Sequence, residues 1–515
     1  MALTSEKTLL VASAGRPTNA ALAAAAPLLD PRLPAIELRL DALGERPDLP
    51  ALRAAFAGRT LLATLRSRAE GGRFAGTAAE AAALLGAALD AGFDLVDVEL
   101  GLGGEGLLGL PRERVVASSH ELERIPADLE QRAARLEATG ARFAKLVVAA
   151  RGLGDALRLL RLQAARGAEG RLATFGMGEA GLLTRALSPY LGASLSFGAA
   201  LEGGETAPGQ LPAADLVDVY GVGRQRRVEA LFALLGGRVS HSFSPAIHNG
   251  RFEELGLPFL YVPIALASLE SEGGPLREAL EALGFPLRGA SVTVPFKEEA
   301  ATLAGAPGEA RNTLLFAPDG TLSSANTDRE ALLSAIPDAP EQGAALVLGA
   351  GGMARSAVEA LVARGWRVDV TARAAARAAA LAASCGARAV ASPTSAGVAY
   401  AAIVNATPLG LDAEDPLPCA GTLLSPGVLA IDSPYRPGGT PFARLALRQG
   451  ARLVDGFALL LSQAAGQSAL FTGRPVDAAS LAARLPAHIS SLLERSRRTL
   501  PPRTSRGRSR PSPSN

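Results

Sequence analysis

The 515-residue sequence is poor in cysteine, histidine and aromatic residues. It has two cysteines, Cys385 and Cys419, and four histidines, and aromatic side chains make up 4% of the chain. Two cysteines exclude a disulfide framework and fit a reducing compartment, while four histidines leave little material for a metal site. We therefore expect no metal, and we expect cores built mainly from Ala, Leu and Val.

Long apolar runs and a large net charge are also missing. No run reaches the length that spans a membrane, and the apolar run 8–14 leaves no room for a signal or transit peptide, so we expect a cytoplasmic protein. The net charge is only +2, although seven arginines and no acid lie within residues 495–515. The basic character belongs to this tail, which we expect to be disordered over 491–515. The tail lacks interleaved aromatics, which argues against a nucleic-acid partner.

Short apolar runs alternate with longer helical stretches through the first 222 residues. This alternation is typical of a (β/α)8 barrel, and although an open doubly wound sheet would also tolerate it, eight runs favour closure. Such a barrel places its active site at the carboxyl ends of its strands, where several runs carry polar residues. The eight runs are 8–14, 35–43, 60–67, 93–100, 114–121, 143–150, 172–178 and 193–200.

The rest of the chain has a new α/β pattern, which starts at Leu234 after a linker near 221–227. A second break near 337–343 precedes a strand, a glycine-rich turn and a helix, the order typical of a Rossmann-like domain. We expect a barrel over 1–222, a smaller α/β domain over 223–335, a Rossmann-like domain over 336–455, and helices from about 456–490 that pack back on the smaller domain.

Lys145 lies inside the apolar run 143–150, in a region that otherwise uses arginine. Inside a barrel a lysine is desolvated, which lowers the pKa of an ammonium and frees the amine to attack carbonyls. The alternative is a lysine on the outer face that reaches solvent. His120 ends the preceding run, so adjacent strands would bring an imidazole to the same mouth, where it is a general acid–base candidate.

These residues belong to motifs that resemble the type I 3-dehydroquinate dehydratases over nearly all of residues 5–220: IELRLD, TLRSRAEGG, SSHEL, AKLVV, GMGEAGLLTR, SFGA and TAPGQL. The resemblance implies that Lys145 forms an imine with the substrate ketone and that His120 transfers protons, without any cofactor. It also implies that Arg185 pairs with the substrate carboxylate. The other implied substrate-binding residues are Glu37, Arg39, Arg66, Gln210 and Thr206, the last in place of the family's usual serine.

A second group of motifs follows from residue 230. Ser242 and Ser244 lie in RVSHSFSPAIHN, and their hydroxyls could bind a polyol or a carboxylate, although each alone is more typical of a turn or a helix cap. Lys297 follows the run VTVPF and Asp328 lies in NTD, and together they could transfer protons. GAGGMAR at 349–355 follows an apolar strand and opens a helix, as pyrophosphate-binding turns do, although such turns also arise for packing.

This collection resembles shikimate dehydrogenase over roughly residues 230–485. The resemblance implies that Lys297 and Asp328 form the catalytic pair, with Lys297 protonating the ketone oxygen as hydride arrives from a nicotinamide. The residues implied to bind the substrate are Ser242, Ser244, Thr293, Asn312, Asp328, Tyr435 and Gln463, and those implied to bind the cofactor include Gly349, Ala350, Gly351, Gly352 and Gly456. The departures from the family pattern are Ser291, Arg311, Arg329, Ala372 and Ala374.

Two arginines predict the form of the nicotinamide cofactor. Arg373 ends the strand after the glycine-rich turn and Arg377 lies one helical turn later. Guanidinium groups suit a 2′-phosphate in geometry and charge, so we expect NADP(H). Asp369, the nearby acid, lies inside the strand and is discounted as a ribose ligand. The alternative is that both arginines only solvate a helix start.

Together the two resemblances imply one chain that dehydrates 3-dehydroquinate to 3-dehydroshikimate and then reduces it to shikimate with NADPH. A quinate or quinate/shikimate dehydrogenase shares the second set of motifs. The alternative outside the enzymes is a regulatory sensor that keeps both folds without the chemistry, against which the intact Lys145, His120, Lys297 and Asp328 argue. The expected partners are small-molecule substrates, with neither nucleic acid nor membrane.

Overall fold

The computed structural model describes residues 5–490 apart from 6, 168–169, 202–203, 208, 225–226, 342 and 393–397. The tail expected to be disordered therefore lies outside the described residues. The chain divides into two compact units. The first comprises residues 1–307 and 312–324, and the second comprises residues 308–311 and 325–515.

The first unit begins with eight parallel strands paired in the order β7-β6-β5-β4-β3-β2-β1-β8. The amide of Ser194, just before β8, donates to the carbonyl of Leu172 in β7 at 3.1 Å, so the barrel is nearly closed. Each of the eight predicted runs contains one strand, which confirms the predicted barrel. The strands are β1 Leu9–Ala14, β2 Ala35–Arg39, β3 Thr60–Thr64, β4 Leu95–Glu99, β5 Val115–Glu121, β6 Phe143–Ala149, β7 Leu172–Met177 and β8 Leu195–Ala199.

Helices occupy the stretches between these strands, and their ends follow local sequence signals. Helix α3, for example, starts with a capping box, in which the side chains of Thr77 and Glu80 each accept a hydrogen bond from the other residue's backbone amide. The barrel helices are α1 Asn19–Ala23, α2 Leu49–Ala55, α3 Ala78–Asp90, α4 Leu100–Gly103, α5 Leu129–Ala138, α6 Leu153–Arg166, α7 Leu182–Leu187 and α8 Ala213–Asp218.

The inside of the barrel changes from apolar to polar towards the carboxyl ends of the strands. Side chains two residues apart on a strand face the same side, so each strand contributes alternate residues to the interior. Leu62, Leu95 and Val116 belong to one buried apolar cluster. Two residues further along the same strands stand Thr64, Asp97 and Ser118, all buried. The strand register places Lys145 beside Ser118, in this polar layer.

The first unit also contains a five-stranded sheet with the order β10-β9-β11-β12-β13, in which β12 runs antiparallel to β11. Every residue of β9 is buried, as expected for a central strand covered on both faces. Its strands are β9 Ala230–Gly236, β10 Phe259–Ala265, β11 Leu287–Val292, β12 Thr313–Phe316 and β13 Leu322–Ala325, and its helices are α9 Ser244–Glu254, α10 Leu269–Ala282 and α11 Lys297–Leu303.

The second unit is built on a six-stranded parallel sheet with the order β16-β15-β14-β17-β18-β19. Counted within the sheet this is 3-2-1-4-5-6, the doubly wound order of dinucleotide-binding folds, with its switch point between β14 and β17. The predicted Rossmann-like fold is confirmed. The strands are β14 Ala344–Leu348, β15 Arg367–Thr371, β16 Arg388–Ala389, β17 Ala402–Asn405, β18 Leu429–Asp432 and β19 Arg452–Val454, and the helices are α12 Thr327–Ala335, α13 Gly352–Ala363, α14 Ala375–Cys385, α15 Pro441–Arg448, α16 Gly456–Thr472 and α17 Ala478–Ala482.

Two features bear on the expected domain boundaries. Helix α12 falls in the second unit, whereas the boundary was expected after residue 335. Helix α16 packs against α12.

Within the described residues, no helix combines the length and the apolar character needed to cross a membrane.

Candidate active sites

Lys145 lies inside the barrel, in the polar layer, with only 3% of its surface exposed. Its Nζ is 2.6 Å from Oδ2 of Asp97 and 4.5 Å from the centre of the Phe197 ring. Burial opposes the charge on Asp97, but Arg66 and Lys145 outweigh it and lower the pKa of Asp97 to about 2. The inward position was predicted from sequence. The carboxylate that fixes the amine was missed.

His120 lies near the end of β5, two residues beyond the position that pairs with Lys145. Its Nδ1 is 2.7 Å from Oε2 of Glu70, which also accepts from the His120 backbone amide at 3.0 Å. Burial, together with Arg66 and Lys145, lowers the pKa of His120 well below its usual range. Burial also raises the pKa of Glu70 to about 8. The imidazole is therefore neutral near pH 7, as a base must be, and Glu70 orients it.

Arg66 is the centre of a buried hydrogen-bond network beside these two residues. Its Nη1 donates to Glu99 at 2.8 Å and to Ser118 at 3.1 Å, and its Nη2 donates to Asp97 at 3.0 Å. Asp97, Glu99 and Ser118 were not predicted from the sequence. The available signal was the sequence LVDVE in β4, which puts two acids on the inward face of one strand. Because such a network leaves few groups free to move, it holds the surrounding side chains rigid.

The other residues predicted to contact the substrate lie at the same end of the barrel. Glu37 accepts from Thr64 at 2.8 Å, and Arg39 forms a bidentate pair with Asp41 at 2.8 Å. A buried amide completes the cluster, because Gln210 accepts from the Thr206 backbone amide at 2.7 Å and donates to Ser13 at 3.4 Å. The threonine hydroxyl also donates to Gln210, at 3.2 Å, so the change from serine keeps this contact.

Arg185 is a buried cation in α7, with 4% of its surface exposed. Its guanidinium is 6.0 Å from the ring of Phe175, and within the described residues its Nε has no hydrogen-bond acceptor and its side chain no ion-pair partner. Burial lowers its pKa to about 10, so it stays charged near pH 7. A buried charge without a protein counter-ion is suited to an anionic ligand.

Several residues of the second predicted site surround one edge of the five-stranded sheet. Ser242 and Ser244 lie between β9 and α9, where the Ser242 hydroxyl donates to Ser244 Oγ at 3.0 Å and accepts from the Ser244 amide at 3.1 Å. Thr293 follows β11, and Lys297, 8% exposed, begins α11. Asn312 precedes β12, and its carbonyl accepts from the Val292 amide at 2.7 Å. The first unit thus brings five of the predicted residues to the same edge.

Asp328 lies in the second unit, in the first turn of α12, with 6% of its surface exposed. Its neighbour Thr327 donates to Gln463 of α16 at 3.3 Å. The Arg329 amide donates to the Asn326 side chain at 3.1 Å, which caps the helix. Since Arg329 is itself a helical residue, an arginine where the family has glycine does not strain this turn. The pairing of Asp328 with Lys297, which belongs to the first unit, stays a prediction.

The remaining departures from the family pattern have local settings of their own. Arg311 pairs with Glu309 at 2.6 Å and lines an open cleft together with Arg329. Ser291 is a buried residue of β11. Nothing in the structure explains Ala372 and Ala374.

The glycine-rich turn joins β14 to α13, beside the switch point of the six-stranded sheet. Gly349 has φ +117°, and a Cβ there would lie 2.8 Å from the carbonyl oxygen of Ala406, so only glycine fits. Ala350 follows it, Gly351 caps α13, and Gly352 begins the helix. A Cβ on Gly351 would meet nothing within 4 Å, so the helix N-terminus faces open space. This arrangement suits a pyrophosphate.

Two further residues were predicted to bind ligands: Gly456, which begins α16, and Tyr435, which lies in the loop after β18. A Cβ on Gly456 would lie 2.3 Å from the carbonyl oxygen of Pro434, so glycine is required there for packing. Tyr435, half-buried, follows β18 and directly succeeds that proline.

Arg373 and Arg377 are exposed, in the loop after β15 and in the first turn of α14. Neither forms an ion pair within the described residues. The carboxylate of Asp369 is held by Arg388 at 2.7 and 2.8 Å and by the Tyr400 hydroxyl at 2.7 Å. The carboxylate of the one acid in β15 is thus already hydrogen-bonded to protein groups.

Comparison with known proteins assigns both halves of the chain to families. The family model for type I 3-dehydroquinase matches residues 11–226, and the model for the shikimate dehydrogenase substrate binding domain matches residues 234–313. The Arabidopsis thaliana bifunctional 3-dehydroquinate dehydratase/shikimate dehydrogenase is 29% identical, over 85% of this chain and 78% of that protein. A Rubrobacter xylanophilus shikimate dehydrogenase (NADP(+)) is 39% identical, over 49% of this chain and 94% of that protein.

The chain belongs to the bifunctional 3-dehydroquinate dehydratase/shikimate dehydrogenase family. The dehydratase half is the barrel, and the dehydrogenase half contains the five- and six-stranded sheets. Among solved structures, the Thermus thermophilus shikimate 5-dehydrogenase in complex with NADP(H) and shikimate is 35% identical, with a TM-score of 0.42, over 53% of this chain and 100% of that chain.

Proposed function

We propose that this chain converts 3-dehydroquinate to 3-dehydroshikimate in the barrel and then reduces that product to shikimate with NADPH. The observation that carries the proposal is the buried Lys145 amine on β6, with the His120 imidazole on the adjacent strand β5 two residues beyond the position that pairs with Lys145. A nucleophilic amine and a base on adjacent strands are the two groups that a Schiff-base dehydration needs.

In the dehydratase half, the Lys145 amine attacks the substrate ketone and water leaves as the imine forms. The iminium acidifies the α-proton, which Nε2 of His120 removes while Glu70 holds Nδ1. The resulting enamine expels the β-hydroxyl, to which His120 returns the proton, and hydrolysis of the imine regenerates the lysine. Arg185 is proposed to hold the substrate carboxylate, because this buried cation has no counter-ion within the described residues.

The ring hydroxyls of the substrate are assigned to the polar groups around the mouth of the barrel. Each of these residues is held by hydrogen bonds to other protein groups, so their donor and acceptor directions are fixed before a ligand binds. The assigned residues are Glu37, Arg39, Arg66, Thr206 and Gln210.

In the dehydrogenase half, Lys297 is proposed to protonate the ketone oxygen. Hydride addition gives that oxygen alkoxide character, which an ammonium stabilises. The family resemblance assigns Asp328 as the second member of the catalytic pair. Substrate binding is assigned to Ser242, Ser244, Thr293, Asn312, Tyr435 and Gln463.

NADPH supplies the hydride when it is bound. The groups that would hold it are present: the open N-terminus of α13 at Gly351 suits the pyrophosphate, and the exposed Arg373 and Arg377 suit a 2′-phosphate. Asp369 is engaged by Arg388 and Tyr400, which removes the acid that would repel this phosphate.

We also propose the finer assignments of location and organisation. The chain would act in the cytoplasm on small molecules alone, which fits two free thiols, Cys385 and Cys419. The domains would be the barrel over 1–222, the substrate-binding domain over 223–335, and the cofactor domain over 336–455.

Trapping of the imine tests this proposal. Borohydride added during turnover of 3-dehydroquinate should leave a reduced adduct that peptide mapping places on Lys145. Lys145→Ala should abolish both the adduct and dehydration, while reduction of supplied 3-dehydroshikimate continues. An adduct on another lysine, or dehydration that survives Lys145→Ala, would refute the assignment.

A further inference from the structure

The barrel contacts the five-stranded sheet of the dehydrogenase half through the segment that follows β7. Helix α7 packs against the edge strand β10, and both belong to the first compact unit. The turn between β7 and α7 contains Glu179, and its carboxylate reaches the loop between β9 and α9. This contact joins the two halves beside residues assigned to the second active site.

Glu179 binds three donors on two consecutive residues of that loop. Its Oε2 accepts from the Val239 amide at 3.1 Å and from the Ser240 amide at 3.2 Å, and its Oε1 accepts from the Ser240 hydroxyl. Hydrogen bonds to an ionised carboxylate are shorter and stronger than those between neutral groups. Three bonds from one carboxylate therefore fix both the position and the direction of this backbone.

The residues that Glu179 holds begin the turn that carries Ser242 and Ser244. The Val239 carbonyl accepts from the Ser242 amide at 3.3 Å, and the Ser242 hydroxyl then binds Ser244 at 3.0 Å. Val239 is also buried. A displacement of Val239 would move its carbonyl and so reach Ser242 through the turn.

We infer that Glu179, a residue of the dehydratase barrel, is a positioning residue for the dehydrogenase site, because it holds the loop whose serines bind 3-dehydroshikimate. The inference rests on the proposed function of Ser242 and Ser244. It means that the barrel contributes to the second reaction beyond supplying its substrate. Since Glu179 acts on binding residues and not on Lys297, its loss should weaken substrate binding more than it slows the chemical step.

The test is steady-state kinetics of the full-length chain with supplied 3-dehydroshikimate and NADPH. Glu179→Gln keeps the size of the side chain but removes its charge and replaces one acceptor with a donor. We expect the KM for 3-dehydroshikimate to rise about tenfold with kcat changed less than about threefold, the scale of one or two charge-assisted hydrogen bonds. The KM for NADPH and the dehydration of 3-dehydroquinate should stay near wild type.

Glu253→Gln is the matched control. Glu253 also links the two halves, through the linker residue Arg224 at 3.5 Å, which in turn pairs with Asp218 of the barrel helix α8 at 2.9 Å. It lies at the far end of α9 from the serines. This variant should leave both KM values unchanged. Ser240→Ala removes one of the three donors, so it should raise the KM by a smaller factor and add little to Glu179→Gln.

The outcomes separate the inference from the proposed function. An unchanged KM in Glu179→Gln, an equal loss of both activities, or the same rise in Glu253→Gln would overturn the inference and leave the proposed function standing. A wild-type chain that does not reduce 3-dehydroshikimate would refute the proposed function, and the inference with it.

Discussion

Replacing Arg185 with methionine should make the barrel more stable and the dehydratase far less active. Burial lowers the pKa of this arginine from its usual range to about 10. At about 1.4 kcal/mol per pH unit, burying the charge costs about 3 kcal/mol. The favourable contact with the Phe175 ring is worth about 1 kcal/mol, so the net gain on removing the charge is about 2 kcal/mol.

The sign of the pH dependence follows from the same values. The folded-state pKa lies below the unfolded one, so the whole cost is present at every pH below about 10 and diminishes only as the pH rises from that value towards the unfolded-state pKa. The gain from Arg185→Met should therefore be the same at pH 7 and pH 8. The activity of Arg185→Met should fall while its stability rises, because loss of a buried partner for the substrate carboxylate lowers the kcat/KM of dehydration about 100-fold or more.

Hydrogen exchange in β7, Leu172–Met177, measures the stability effect where it arises. Its amides should exchange roughly thirtyfold more slowly in Arg185→Met, the equivalent of about 2 kcal/mol. Arg251→Met is the matched control, because Arg251 is also buried but pairs with Glu254 at 2.7 Å, so its loss should destabilise the five-stranded sheet. Faster exchange in Arg185→Met, or a wild-type kcat/KM, would refute the reasoning.

Three further predictions concern proton transfer and cofactor choice. Because the pKa of His120 is lowered, dehydration should persist well below pH 6.5 before its acidic decline, and a rate profile that falls at or above pH 6.5 would contradict this. Lys297→Ala should lower the kcat of reduction by about 100-fold or more while NADPH binding, measured by fluorescence, changes little; equal losses would indicate a cofactor-binding role. Arg373→Ala combined with Arg377→Ala should reduce the NADPH-over-NADH ratio of kcat/KM at least tenfold, and an unmoved ratio would exclude both arginines from the phosphate site.

The fold was predictable because its signals are local. Eight apolar runs separated by helical stretches specify a barrel, and a glycine-rich turn between a strand and a helix specifies a nucleotide fold. The inward position of Lys145 was predicted from its place in an apolar run and from His120 at the end of the preceding run, and Lys145 is buried in the structure.

The cross-strand partners were not predictable, because they depend on strand register. The contact between Lys145 and Asp97 joins residues 48 positions apart on strands that are not adjacent, and the contact between His120 and Glu70 spans 50 positions. The alternation LVDVE in β4 indicates an inward Asp97 but not which cation it meets. The link from Glu179 to Ser240 also depends on how the barrel packs against the next sheet, for which the sequence carries no local signal.

One coupled assay tests the central claim that this chain carries two consecutive activities. Purified protein is mixed with 3-dehydroquinate and NADPH, the absorbance of NADPH is followed, and the products are identified by mass spectrometry. NADPH should be consumed in step with shikimate formation, and Lys145→Ala should stop both until 3-dehydroshikimate is supplied. If 3-dehydroquinate remains unchanged, or if 3-dehydroshikimate accumulates while NADPH is not consumed, the account is contradicted.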